Sequence, residues 1–88
     1  MTPMYLATRD EKKVKEMLGA QCDVFTQNDV DFMIAEYFEH VEEAKWAVEV
    51  CAEKMPGKVV AVNMCIGKDG DMHGRSTFEC GQILAGTG

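Results

Sequence analysis

Eighty-eight residues, 47% hydrophobic and 27% charged, give an ordinary globular composition and room for one small domain with a thin core. A formal net charge of -6 disfavours a nucleic-acid backbone or an anionic membrane as partner. No apolar run reaches the roughly 18 residues of a membrane span, and Met1 to Leu6 lacks the basic-then-apolar pattern of a secretion signal, so a reducing, cytoplasmic setting is expected.

The chain starts with Thr2-Pro3-Met4-Tyr5-Leu6, which reads as extended or irregular because proline biases the residue before it away from helix. Thr8-Arg9-Asp10-Glu11 carries the start signal of a first helix, with Thr8 or Asp10 as its cap. Val14, Met17, Leu18, Cys22 and Phe25 recur at helical spacing and form an apolar face opposite Lys12, Lys13, Lys15 and Glu16. Gly19 weakens the middle of this helix and predicts a bend or fraying there, and Gln27-Asn28-Asp29 ends it.

Phe32 to Phe38 reads as a strand, near-continuously apolar through Ala35, as expected where helices cover both faces. Its carboxyl end carries Glu36 and Tyr37 directly before a helix, the place where α/β folds put ligand chemistry. The next helix is predicted from about His40 to Met55, with Val41, Ala44, Val48, Cys51, Ala52 and Met55 buried and Glu42, Glu43, Lys45, Glu49 and Glu53 outward. Trp46 is assigned to packing or an interface. Glu39 and His40 are neighbours that do not face each other, so helix capping is favoured over a general acid–base pair. Pro56-Gly57 stops the helix.

Lys58 to Ile66 is the second strand, apolar on both alternations, and the intervening helix makes a right-handed parallel crossover the expected connection. In the loop from Gly67 to Gly74, Asp69, Asp71 and His73 alternate like metal ligands. The twelfth position from Asp69 is Cys80 rather than the Glu of a calcium loop, so a solvated turn is expected. Ser76 or Thr77 caps a further helix that is predicted to break off from Gly81 onward. The four cysteines, Cys22, Cys51, Cys65 and Cys80, lack the spacing of a zinc knuckle or redox motif and read as free thiols, Cys65 included among the buried ones.

Two parallel strands leave unpaired apolar edges that a soluble protein avoids. The expectation is therefore a central βαβ segment of a larger α/β domain, with no complete domain boundary within residues 1–88.

The run Glu36-Tyr37-Phe38-Glu39-His40-Val41-Glu42-Glu43-Ala44 resembles the betaine–homocysteine S-methyltransferase family. So do Met64-Cys65-Ile66-Gly67 and Gly70-Asp71-Met72-His73-Gly74, and the likeness extends back to Thr2-Pro3 and Tyr5-Leu6. It covers nearly all of this chain but about a quarter of a full-length family member. The resemblance implies a (β/α)8 TIM barrel of the homocysteine S-methyltransferase type. It also implies homocysteine and betaine as substrates, zinc as cofactor, no nucleic-acid or membrane partner, and a homo-oligomer of the full-length protein. Glu36 corresponds to the carboxylate that binds the homocysteine amino group, and Tyr37 to an aromatic residue lining the betaine site.

The family's zinc cysteines, one in a Gly-Val-Asn-Cys segment and two in a Cys-Cys pair, have no counterpart here. Cys65 is not assigned to zinc, the chain is assigned no catalytic and no metal-ligating residue, and on its own it is expected to be inactive. Other readings stand beside this one. Glu36 reads alternatively as a solvated strand-end carboxylate and Tyr37 as a core aromatic. The chain reads alternatively as a non-catalytic α/β interaction module, or as part of a homocysteine methyltransferase using another donor, such as S-methylmethionine or methylfolate on cobalamin.

Overall fold

A computed structural model describes residues 3–86, which form helix α1 (Pro3–Thr8), helix α2 (Glu11–Thr26), strand β1 (Phe32–Phe38), helix α3 (Val41–Lys54), strand β2 (Val59–Met64) and helix α4 (Thr77–Ala85). The segment expected to be extended is helical from Pro3 onward. Proline's fixed φ suits a first helical turn, and the restriction it imposes falls on Thr2, which lies outside the described residues. Asp10 caps α2 by accepting the Lys13 N–H at 3.1 Å, and Thr8 Oγ1 in turn accepts the Asp10 N–H at the same distance.

β1 and β2 pair in parallel, with Phe32 opposite Val59, Met33 opposite Val60, Ile34 opposite Ala61 and Ala35 opposite Val62. The strand limits Phe32–Phe38 are those expected, while β2 is shorter than Lys58 to Ile66. Helix α3 is the hub, touching α2, α4 and both strands. Its buried residues are Val41, Glu43, Ala44, Trp46, Ala47, Val50 and Cys51. That stripe is wider than a helix packed on one side needs, because α3 meets the sheet with one flank and α1–α2 with another. Glu43 is therefore buried rather than outward, in the first turn where the helix dipole favours a carboxylate, whereas Val48 is half-buried and Ala52 exposed.

The core divides into three groups bridged by Leu18 of α2. Tyr5, Val14 and Trp46 form the first, Cys22, Val50 and Cys51 the second, and Phe38, Ala44 and Ala47 the third. Met33, Ala35, Val60, Val62 and Met64 join the last two from the strands. The alternate strand residues point the other way: Phe32 is 57% and Val59 70% exposed, with Ile34 also open. Among the described residues the helices thus cover one face of the sheet, not both as expected.

Helix α2 runs without interruption through Gly19, which is buried at the crossing with α3. A Cβ there would lie 3.4 Å from Lys54 Cε and 3.8 Å from Val50 Cγ1. Phe25, placed on the apolar face by periodicity, is exposed near the helix end. At the other end of the chain, α4 starts at the Ser76 cap and continues through Gly81 to Ala85 instead of breaking off. Leu84 packs on the Phe38 group, and tertiary contact outweighs the glycine's weak helix propensity. The tail beyond Gly86 lies outside the described residues.

Candidate substrate-binding site at the carboxyl end of the sheet

Pairing is regular up to Ala35–Val62 and resumes at Phe38–Met64, so β1 spends one more residue than β2 across that interval. Glu36 and Tyr37 occupy this β-bulge. Bulges are found beside active sites and at barrel rims, where they re-aim side chains. Tyr37 adopts φ 67°, in the left-handed region that a bulky side chain avoids at a cost of about 1–3 kcal/mol. Arg9 and Asp29 also have positive φ, but both follow helix ends, where that conformation closes the last turn. Tyr37 lies within a strand, and no helix end accounts for it.

The bulge turns both side chains outward: Glu36 is exposed and Tyr37 is 62% exposed. Within this segment no packed core covers the Tyr37 ring. Cys65, expected to be buried, is exposed at the end of β2, because it continues the alternation of the open face set by Val59, Ala61 and Asn63. Its N–H donates to the Phe38 carbonyl at 2.7 Å, which sets the two strand ends side by side. Glu36 also lines a groove of about 440 Å³ between α2 and β1. Apart from Gln21, the remainder of its wall, including Leu18, Phe25, Met33 and Phe38, is apolar, the character of an incompletely covered core rather than of a polar-ligand site.

The loop after β2 closes over the same end of the sheet. Asp71, expected in a solvated turn, is buried. Its Oδ2 accepts the Val41 N–H at 3.1 Å, and its Oδ1 accepts the N–H groups of His73 at 3.0 Å and Arg75 at 2.9 Å. Burial alone would raise this carboxyl's pKa, but the N–H donors of Val41, Arg75 and His73 outweigh it and hold the group below its ordinary value. Asp71 thus caps α3. His40 occupies the cap position but makes no side-chain cap bond, so the capping role expected of it belongs to a residue distant in sequence.

The His40 ring packs instead against His73, with centroids 4.0 Å apart, and against Tyr5 at 4.9 Å. The Tyr5 hydroxyl donates to Glu42 Oε2 at 3.1 Å and lies 3.5 Å from His73 Nε2, while the ring meets Trp46 edge-on at 5.7 Å. Trp46 is buried, as a packing residue should be. Burial, and then the neighbouring His73 and Arg9, lower the His40 pKa. Burial and the Glu42 contact raise that of Tyr5. The cysteines apart from Cys65 are buried free thiols. Cys22 and Cys51 have their Sγ atoms 3.4 Å apart, and burial together with the Cys22 contact pushes Cys51 up to about 12.

An α/β segment with a bulged strand end, strapped by the loop of its parallel neighbour, agrees with the homology. The sequence profile of the homocysteine S-methyltransferases matches residues 2–86, and the chain belongs to that family. Betaine–homocysteine S-methyltransferase 1 of Rattus norvegicus is 53% identical over 87 residues, which are 99% of this chain and 21% of the rat protein. The Xenopus laevis protein of the same name is 54% identical over 87 residues, with the same coverage of 99% and 21%. S-methylmethionine–homocysteine S-methyltransferase BHMT2 of Rattus norvegicus is 52% identical over 87 residues, covering 99% of this chain and 23% of that protein. The chain therefore spans about a fifth of the length of these relatives.

Proposed function

We propose that this chain is a central segment of a (β/α)8 barrel domain, and that the whole protein transfers a methyl group from betaine to homocysteine, giving methionine and dimethylglycine. The observation that carries the reading is the bulge at Glu36–Tyr37, which spends backbone strain to present an acid and an aromatic ring at the carboxyl end of a parallel strand. Family membership and the names of the relatives support it.

Glu36 binds the homocysteine ammonium, whose N–H donors match a carboxylate. Tyr37 offers its ring face to the quaternary ammonium of betaine, a cation with no N–H to donate and therefore suited to an aromatic wall. With the substrates so held, the homocysteine thiol gives up its proton to solvent and the resulting thiolate forms the new sulfur–carbon bond to the methyl group. The carbon–nitrogen bond breaks, and its electron pair stays on nitrogen as the tertiary amine of dimethylglycine. The open apolar face carrying Phe32, Ile34 and Val59 is covered by the other strands of the barrel. The working setting is the reducing cytoplasm, as a homo-oligomer.

The zinc that the family resemblance implies would activate the thiol by lowering its pKa. Among the described residues no three His, Cys, Asp or Glu side chains are arranged to hold a metal ion. These residues do not fit a zinc site.

The relative named for S-methylmethionine, at 52% identity, favours a second reading in which the donor is a sulfonium. That cation would meet the Tyr37 ring in the same way. The full-length protein carrying this segment is expected to methylate homocysteine from betaine, with Tyr37→Ala raising KM for betaine about tenfold. Transfer from S-methylmethionine alone would move the donor to the second reading, and transfer from neither would overturn both.

A further inference from the structure

We propose that Asp71 is a positioning residue for the Glu36–Tyr37 bulge, locking the loop after β2 onto the β1–α3 connection so that the Glu36 carboxylate is held where homocysteine meets it. The proposal rests on the reading that Glu36 binds the homocysteine ammonium.

The strand ladder fixes β1 up to Ala35, and beyond the bulge three successive tethers fix the backbone again. The Phe38 carbonyl accepts from Cys65 N–H at 2.7 Å, the Glu39 carbonyl accepts from Met72 N–H at 2.9 Å, and the Val41 N–H donates to Asp71 at 3.1 Å. Two of these come from the loop, and Asp71 is what gives the loop one shape. Its other oxygen gathers His73 N–H and Arg75 N–H, while its own N–H donates to the Arg75 carbonyl at 2.8 Å. The turn admits no side chain at Gly70, which has φ 105° and where a Cβ would collide with the Arg75 carbonyl.

A left-handed tyrosine within a strand relaxes unless both flanks are held. With the far flank released, the bulge is free to slip toward regular pairing, which would carry Glu36 and Tyr37 to different faces. Three charge-assisted hydrogen bonds to one buried carboxylate supply that hold. An asparagine cannot: with its carbonyl toward His73 and Arg75, its amide nitrogen would face the Val41 N–H, donor against donor.

The test is a double-mutant cycle on the full-length protein, reading homocysteine affinity by titration calorimetry. Asp71→Asn is expected to weaken homocysteine about tenfold in the parent background and less than about twofold in the Glu36→Ala background, because the residue it positions is already gone. An equal loss in both backgrounds, the signature of a general structural role, overturns the proposal while leaving the role of Glu36 intact. A Glu36→Ala variant that binds homocysteine like the parent overturns the underlying reading and this proposal with it. Where Asp71→Asn does not fold, Asp71→Ser, which keeps a capping acceptor, enters the same cycle. Loss of folding in both variants makes Asp71 a stability residue and overturns the proposal.

Discussion

The residue-scale chemistry of this chain concentrates where the rings of Tyr5, His40, Trp46 and His73 meet the buried Asp71 carboxylate. The groups facing His40 are Tyr5 and Arg9 from the α1 side, Glu43 from α3, and Asp71 and His73 from the loop. Burial disfavours the imidazolium, and it leads the causes that lower the His40 pKa. The sign follows: the unfolded chain takes up a proton near the ordinary histidine value of about 6.5, while the folded chain does so only at lower pH. Stability is therefore expected to fall as pH drops below about 6.5 and to level off once the folded-state His40 is itself protonated. Thermal melts between pH 7.5 and 5.5 check this, and His40→Phe should flatten the slope. The strand-end position of Glu36 and Tyr37 was legible in the sequence, because polar residues closing an apolar run are conspicuous. Asp71 was legible only by half. Its bonds to His73 and Arg75 are local and typical of aspartate in turns, but the Val41 bond crosses the fold and has no local signature.

At the scale of elements, α3 was legible nearly to the residue, because its apolar periodicity is long and Pro56-Gly57 ends it. Its buried surface was not, since one helix packed on two sides buries Glu43 and Trp46 beyond any single stripe. Cys65 was misplaced for a related reason: an apolar strand reads as buried on both faces, yet the described residues cover only one. Gly19 shows how context changes a propensity argument. α2 continues through it as one helix, and the space over its Cα accommodates a methyl group at ordinary contact distance from Lys54 and Val50. Gly19→Ala is accordingly expected to stabilise the protein by about 0.5–1 kcal/mol. Chemical denaturation checks this, and a destabilised variant would show that α2 and α3 approach more closely than these distances state.

For the whole molecule, the open apolar face and the short parallel sheet agree with a segment of a larger domain, and the chain covers about a fifth of its relatives' length. Two strands identified the fold class but left the number of strands around them unspecified. The barrel is what the sequence resemblance implies and is part of the proposal, while the described residues form a two-stranded parallel sheet. In the proposed function the β1 bulge presents Glu36 to homocysteine. The most direct measurement is the affinity of the full-length protein for homocysteine and for betaine, before and after Glu36→Ala. The expected result is homocysteine binding weakened about ten- to hundredfold, the loss of one charge-assisted contact, with betaine affinity changed much less. Equal homocysteine affinity in the two proteins, at unchanged thermal stability, would contradict it.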